Sequence, residues 1–212
     1  MEKENDLIGI YELHRWGLGW TKVQSKRPRS LESVILDKDN ANKLLEDIKH
    51  FQSSANWYMD MGIPYRRGYL LFGPPGTGKT SFTLAVAGAL KLNICYLNLS
   101  GENMDDDGLN RALNQAPANC IILLEDIDAI FRSRTAVKGK KGRRSVSFSG
   151  LLNALDGVRS QEGRILVMST NHKERLDPAL IRPGRCDMHL EFSNATFSMI
   201  KRLLLKFYPE QL

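Results

Sequence analysis

Residue types that bind phosphate are concentrated in one eight-residue stretch, Gly73-Pro74-Pro75-Gly76-Thr77-Gly78-Lys79-Thr80. The stretch fits the phosphate-binding loop pattern G-x-x-x-x-G-K-S/T. Three glycines in six residues allow the backbone to curl, so that its N–H groups converge on one point. We expect the Lys79 ammonium to reach the outer phosphates of a nucleotide and the Thr80 hydroxyl to bind Mg²⁺. The alternative is a plain turn between a strand and a helix.

The residues on both sides of this loop favour the phosphate-binding interpretation. An apolar run at 69–72 predicts a strand that enters the loop, and residues 81–90 predict a helix that leaves it. A strand, a glycine-rich loop and a helix in this order are the context that the motif requires. The helix is expected to direct its positive end at the bound phosphates.

A pair of carboxylates, Glu125 and Asp126, follows the apolar run 120–124. Such a run is typical of a strand in a parallel sheet that is covered on both faces. Ligands of these sheets bind at the carboxyl ends of the strands. One carboxylate there can hold Mg²⁺, and its neighbour can orient a water molecule against the γ-phosphate. The alternative is a solvated acidic turn at the start of a helix.

Three further polar residues are candidates for the same chemistry. Asn171 follows the apolar run 164–170, where its amide could lie beside the attacking water and the γ-phosphate. Arg182 and Arg185 carry planar guanidinium groups, which are suited to stabilising charge on a transferring phosphoryl group. Taken singly, an Asn after a strand is usually a turn residue, and paired surface arginines form weak ion pairs.

The elements that must position these residues alternate between strands and helices. The predicted strands are 69–72, 93–99, 120–124, 164–170 and 187–192, and the predicted helices are 38–54, 81–90, 106–116, 148–155 and 195–206. This order predicts an α/β fold with a doubly wound, parallel five-stranded sheet. Residues 10–13 are a further candidate strand. The stretch after them is predicted to be a linker, and residues 31–36 a short extended segment.

The net charge of +6 comes largely from two basic runs. Five positive charges lie in one insert, at Lys138, Lys140, Lys141, Arg143 and Arg144. The other run contains no acidic residue between its members, which are Arg15, Lys22, Lys26, Arg27 and Arg29. Both runs are predicted to be solvated loops or interface segments, and contacts to a nucleic-acid backbone are the alternative.

The three cysteines, Cys95, Cys120 and Cys186, are isolated, and no C-x-x-C pair indicates a metal or redox centre. Cys95 and Cys120 lie in apolar runs and are predicted to be buried thiols in a reducing compartment. No apolar run approaches the roughly 20 residues that span a bilayer. The acidic, polar start argues against a signal peptide or an Arg-rich transit peptide within these residues.

In this order, the motifs resemble those of the AAA family of P-loop ATPases, over about residues 30–212. The stretch 177–185, Asp-Pro-Ala-Leu-Ile-Arg-Pro-Gly-Arg, contributes to the resemblance. The resemblance implies an ATP hydrolase that uses ATP and Mg²⁺. It also implies that Asn171 is the sensor 1 residue. Arg182 and Arg185 correspond to arginine fingers, which act on the nucleotide of the next subunit in a homo-oligomeric ring.

Within the family, the chain is similar to the mitochondrial inner-membrane chaperones that assemble the cytochrome bc complex by translocating a folded Rieske iron–sulfur protein. The similar stretches are 57–58, 62–71, 124–129, 148–157, 170–172 and 207–209. This similarity implies an ATPase located in the mitochondrial matrix and a protein cargo of the Rieske type. It implies membrane attachment only through a segment that is absent from these 212 residues.

Two features of the site region depart from the general pattern of the family. The family has Asp then Glu at the acidic strand end, whereas here, as in the subgroup, Glu125 precedes Asp126. We therefore assign Glu125 to Mg²⁺ and Asp126 to the attacking water. Residues 99–107 contain no aromatic side chain that could grip an extended polypeptide. This absence argues against unfolding by threading and fits a folded cargo.

The third departure is length. Residues 1–30 are interpreted as the remnant of an upstream domain and linker, 31–194 as the AAA core, and 195–212 as the start of a helical lid that is largely missing. The insert 138–144 is either a pore-facing loop that contacts cargo or a surface loop.

Two other classes of function remain as alternatives. A nucleic-acid-stimulated ATPase is favoured by the basic runs, but few aromatic residues accompany them, so no nucleic-acid partner is expected. A nucleotide-binding scaffold without turnover is favoured by the reversed acidic pair and the missing lid.

Overall fold

In the part of the chain that the structure describes, seven strands form one sheet between two layers of helices. The computed structural model describes residues 7–14, 19–36, 38–99, 104–128, 146–156 and 162–208. The strands are β1 (Ile8–Leu13), β2 (Trp20–Lys26), β3 (Arg66–Phe72), β4 (Asn93–Leu97), β5 (Cys120–Leu124), β6 (Arg164–Thr170) and β7 (Met188–Glu191). The helices are α1 (Lys38–Ser53), α2 (Ala55–Asp60), α3 (Lys79–Ala89), α4 (Asp106–Asn114), α5 (Phe148–Asp156) and α6 (Phe197–Phe207).

The strand order across the sheet is β2-β1-β4-β5-β6-β3-β7. Neighbouring strands are parallel except β1 and β2, which form an antiparallel hairpin at one edge. Parallel neighbours require crossover connections, which the helices supply. The predicted α/β fold of the P-loop type is confirmed. As a result, the carboxyl ends of three adjacent strands, β5, β6 and β3, lie at the same edge of the sheet.

The first 36 residues differ in part from the sequence expectations. The candidate strand at 10–13 is confirmed as part of β1, whereas the stretch predicted to be a linker contains β2. Together β1 and β2 extend the five predicted strands to seven. Gly19, directly before β2, has a φ of 99°, and Trp20 Nε1 donates to Ala112 O at 2.9 Å. The predicted extended segment 31–36 begins instead with a 3₁₀ turn at Leu31–Ser33. These differences arise from tertiary contacts, and the domain boundary at residue 30 stays a prediction.

Alternate side chains of the central strands face opposite helical layers. On one face, Tyr69 and Val167 pack in a cluster with α1 and α3. On the other face, Leu70 and Ile122 pack in a cluster with α4 and α5. Strands β5 and β6 are buried along their whole length, as the continuous apolar runs predicted. This packing holds the strand ends that carry the candidate site.

The three cysteines are free and buried, which confirms the predicted burial of Cys95 and Cys120. A hydrogen bond with Cys120 and burial raise the pKa of the Cys95 thiol. Burial raises the pKa of the Cys186 thiol to about 12. Cys95 and Cys186 therefore stay protonated at neutral pH and serve as small apolar core residues.

No helix among the described residues has the length and apolar character needed to cross a membrane.

An ion pair anchors α1 to β3. Asp47 accepts hydrogen bonds from Arg67 Nε at 3.0 Å, from Arg67 Nη2 at 2.7 Å and from Tyr69 Oη at 2.7 Å. Burial raises the pKa of Asp47, but the hydrogen bonds from Arg67 and Tyr69 outweigh it and hold this pKa below its ordinary value. The carboxylate therefore favours the folded state while it is ionised.

We expect Asp47→Asn to lower the free energy of unfolding by about 2 kcal/mol at neutral pH, because hydrogen bonds to charged groups are of that size. Urea denaturation measures the loss. The pKa of Asp47 is lowered on folding, so its contribution is present above the unfolded pKa of about 3.9 and is lost as the pH falls below it. Wild type and variant should therefore converge in acid.

The matched control is Asp60→Asn, because Asp60 is an exposed acid at the end of α2. This variant should match wild type across the same pH range. An Asp47→Asn deficit that stays constant into strong acid would contradict the ion-pair explanation.

Candidate active site

The phosphate-binding loop connects the carboxyl end of β3 to the first turn of α3. Gly73, Gly76 and Gly78 have φ angles of 140°, 77° and 98°, a region that favours glycine. A Cβ atom at Gly73 would collide with the carbonyl oxygen of Phe192, just beyond β7. The predicted backbone curl is therefore present, and α3 directs its positive end into it.

Lys79 is 8% exposed and joins the loop to Asn171. Its ammonium donates three hydrogen bonds of 2.8 Å, to Gly73 O, Pro74 O and Asn171 Oδ1. Three acceptors match the three N–H donors of a protonated lysine. Burial lowers the pKa of Lys79, while the charges of the neighbouring acidic pair act in the opposite direction.

The acidic pair lies at the same edge, directly after β5. Thr80 Oγ1 donates a hydrogen bond to Glu125 Oε1. Asn171 Nδ2 donates to Asp126 Oδ1 at 3.3 Å. Asp126 has a φ of 49°, a left-handed conformation that Asp tolerates better than most residues. The structure therefore brings together the loop, Lys79, both acids and Asn171.

The oxygen atoms of Thr80 and Glu125 fit a Mg²⁺ site. Because the hydroxyl and the carboxylate already share a hydrogen bond, one cation could contact both. Among the described residues, no group of three or more His, Cys, Asp or Glu side chains could hold a metal ion. Mg²⁺ is usually bound by one or two protein ligands together with water and substrate phosphates. The donor set therefore fits a cation that arrives with a nucleotide.

Tyr96 is a further residue at this edge that the sequence analysis missed. It lies on β4 and pairs with Leu123 of β5. Burial raises its pKa, and the charge of Glu125 and a hydrogen bond with that carboxylate raise it further. Tyr96 is therefore a neighbour of Glu125 at this edge of the sheet. The pairing of the strands would have identified Tyr96, because this residue lies on β4, the neighbour of the strand that the acidic pair follows.

Arg185 lies near the opposite end of the sheet from the phosphate-binding loop. Asp187 N donates to Gly68 O at 2.7 Å, so the arginine segment runs beside the start of β3. The five residue steps from Gly68 to Gly73 correspond to about 17 Å of strand. The structure therefore does not bring Arg185 to the loop of its own chain.

Arg185 belongs to a cluster around the carboxyl end of α5. Its Nε donates to Asp156 Oδ2 at 2.6 Å, and Arg66 Nη2 donates to Asp156 Oδ1 at 3.2 Å. Arg164 Nη2 donates to Leu155 O at 2.8 Å. Burial, together with the charge of Arg66, lowers the pKa of Arg164 to about 10. Three guanidinium groups therefore surround one carboxylate and the negative end of a helix.

Arg182 is exposed, and its guanidinium group makes no hydrogen bond or ion pair with the part of the chain that the structure describes. The arginine-finger roles of Arg182 and Arg185 stay predictions. Two stretches from the sequence analysis lie outside the described residues. They are the basic insert 138–144 and residues 100–103, which belong to the segment without aromatic side chains.

The fold and the loop define a P-loop nucleotide-binding protein. Comparison with protein families agrees, because the model of the ATPase family associated with various cellular activities (AAA) matches residues 69–194. The chain belongs to the AAA family, which confirms the resemblance drawn from its motifs.

Curated relatives carry the names of mitochondrial chaperones. The chain is 46% identical to "Probable mitochondrial chaperone BCS1-B" of Dictyostelium discoideum, over 99% of this chain and 51% of the relative. It is 48% identical to "Mitochondrial chaperone BCS1" of Danio rerio, over 88% of this chain and 46% of the relative. The identity to "Mitochondrial chaperone BCS1" of Homo sapiens is also 48%, over 88% of this chain and 45% of the relative. The chain thus spans about half the length of these relatives.

Gly73→Ala is expected to lower the free energy of unfolding by about 3 kcal/mol, since the added Cβ combines an unfavourable φ with a collision against the Phe192 carbonyl. Gly76→Ala is the matched control, because its φ is also positive but a Cβ there meets no atom within 4 Å. We expect a loss of about 1 kcal/mol for the control. Chemical denaturation compares the two, and equal losses would show that the contact with Phe192 does not constrain the loop.

Proposed function

We propose that this protein is an ATP-hydrolysing AAA chaperone that acts as a homo-oligomeric ring. One observation carries the proposal: Asn171 is hydrogen-bonded to both Lys79 and Asp126, beside the phosphate-binding loop. A phosphate-binding cation, a carboxylate and a neutral amide are the groups that nucleotide hydrolysis needs at one point.

The loop and its lysine bind and orient the nucleotide. Backbone N–H groups and the amino end of α3 attract the phosphates. Lys79 exchanges the carbonyl oxygens of Gly73 and Pro74 for phosphate oxygens, so its hydrogen bonds are replaced rather than lost. Thr80 and Glu125 hold Mg²⁺, which supplies positive charge against the phosphates when it is bound.

Asp126 and Asn171 act on the attacking water. The Asp126 carboxylate orients the water and accepts its proton as the water oxygen bonds to the γ-phosphorus and the bond to the ADP oxygen breaks. Asn171 holds that carboxylate through its Nδ2 and contacts the γ-phosphate. The rate enhancement therefore comes from positioning and electrostatics.

The location of Arg185 supports a site shared between subunits. Its segment lies at the end of the sheet remote from the loop, so in a ring it can face the nucleotide of the next subunit. Arg182, which is exposed, is the second finger. Guanidinium groups supplied from a neighbour stabilise the charge on the transferring phosphoryl group.

The names of the relatives support a mitochondrial chaperone, and we propose that it assembles a respiratory complex. We propose that it translocates a folded cargo, an iron–sulfur protein of the Rieske type, across the mitochondrial inner membrane, with the ATPase in the matrix. The absence of aromatic residues from 99–107 supports a folded rather than a threaded cargo.

We expect Asp126→Asn to abolish ATP turnover while sparing ATP binding, because the amide keeps the shape of the side chain but cannot accept the proton of the water. Phosphate release and the binding of a fluorescent ATP analogue measure the two properties. Asp107→Asn is the control, since Asp107 is an exposed acid on α4. Hydrolysis by Asp126→Asn at nearly the wild-type rate would falsify the assignment.

Mixing two inactive variants tests the shared site. Arg185→Ala alone should lower kcat by about 10³-fold or more, the range found for fingers supplied from a neighbour. A mixture of Arg185→Ala with Asp126→Asn should recover activity, because an intact Asp126 can then face an intact Arg185 of the next subunit. Phosphate release at high protein concentration is the readout. Mixed rings that remain inactive, with assembly verified by cross-linking, would rule out a finger supplied by the neighbour.

A further inference from the structure

The turn that carries Asn171 is held by bonds to the residue before it. Thr170 O accepts from Gly73 N at 3.3 Å, and Thr170 Oγ1 accepts from His172 N at 3.0 Å. The same hydroxyl donates to Asp128 Oδ1 at 2.9 Å. One side chain therefore connects the Asn171 turn to a carboxylate from another part of the chain.

Asp128 belongs to the segment after β5, two residues beyond Asp126. Asp128 and Thr170 are 3% and 0% exposed, so water cannot readily replace the hydrogen bond between them. Ile127 N also donates to Ser169 O at 3.1 Å. The acidic segment and the end of β6 are thus joined by adjacent backbone and side-chain bonds, and loss of either side-chain partner weakens that junction.

We propose that Asp128 and Thr170 are positioning residues for hydrolysis, which hold Asn171 between Lys79 and Asp126. The inference rests on the proposed function. Asn171 Oδ1 lies 2.8 Å from Lys79 Nζ, and Asn171 Nδ2 lies 3.3 Å from Asp126 Oδ1. A small displacement of the turn changes both distances together. The buried pair therefore sets the alignment of the amide with the lysine and the catalytic carboxylate.

The first test is a pair of substitutions at Thr170. Thr170→Val removes the hydroxyl and nearly keeps the volume, whereas Thr170→Ser keeps the hydroxyl. We expect Thr170→Val to lower the kcat of ATP hydrolysis by about 10- to 100-fold, the cost of misplacing a reacting group by about 1 Å. The KM for ATP should rise by no more than about tenfold, because the loop still binds the phosphates and only the contact of Asn171 with the γ-phosphate is weakened. Thr170→Ser should stay near wild type.

A second pair tests the acid. Asp128→Asn keeps an oxygen that accepts from the Thr170 hydroxyl, whereas Asp128→Ala removes it. Asp128→Asn should therefore retain more of the wild-type kcat than Asp128→Ala, with thermal denaturation used to confirm that both variants are folded. Equal kcat values for two folded variants would count against the role of Asp128.

A binding measurement separates this inference from the proposed function. Fluorescent ATP and ADP analogues are titrated with Mg²⁺ into the full chain. Asn171 is expected to contact only the γ-phosphate, so Thr170→Val should lower the ratio of ATP to ADP affinity by about tenfold, roughly the effect of one charge-assisted hydrogen bond. ADP affinity should not change. If wild type binds ATP without hydrolysing it, the proposed function fails, but this ratio still tests the positioning role.

The inference is overturned if folded Thr170→Val matches wild type in kcat and in the affinity ratio. It is also overturned if Thr170→Ser is as impaired as Thr170→Val, or if Thr170→Val only lowers thermal stability. Each of these results would mean that the buried pair supports the fold without aligning the amide.

Discussion

The candidate site depends on one constraint, the register of the three adjacent parallel strands β5, β6 and β3. Phe72 pairs with Thr170, and Leu124 pairs with Met168. The loop glycine and Asn171 are therefore the next residues on neighbouring strands, and the acidic pair emerges beside the last two residues of β6. Parallel strands end at a common edge, so side chains from separate parts of the sequence meet without a long insertion. A shift of one residue in any of these pairings would turn the site residues to the other face.

Electrostatic balance explains why such polar residues are tolerated at the end of a buried sheet. Lys79 is nearly buried, and burial of an unpaired charge is costly. Here three oxygen atoms accept hydrogen bonds from the Lys79 ammonium. Burial lowers the pKa of Lys79, and the charges of the nearby acidic pair act in the opposite direction. Glu125 in turn accepts a hydrogen bond from Thr80. The polar groups of the site are thus hydrogen-bonded to one another within the chain.

The sequence was sufficient to predict the positions of those site residues that belong to a local pattern. The loop, the acidic pair and Asn171 all follow apolar runs, and the fold brings them together as predicted. Other features depend on pairing between distant segments, which no local pattern encodes. Strand β2 contains mostly exposed polar residues and forms because it pairs with β1 and because Trp20 bonds to Ala112. Tyr96 and the Asp128–Thr170 bond similarly depend on strand register, and the contact of Arg185 with Asp156 depends on how α5 packs.

The two ends of β3 also constrain how the proposed ATPase could work. The loop follows the carboxyl end, whereas the segment of Arg185 runs beside the amino end, about 17 Å away along the strand. No side-chain rotation spans that distance within a rigid sheet, so the loop and the arginine of one chain cannot serve the same nucleotide. A contact between different ends of identical subunits is heterologous, and it closes into a ring when the rotation between subunits allows it. Because Arg185 is hydrogen-bonded to Asp156 of α5, movement of that helix would, in the proposed ring, also move the arginine that is proposed to face the adjacent subunit.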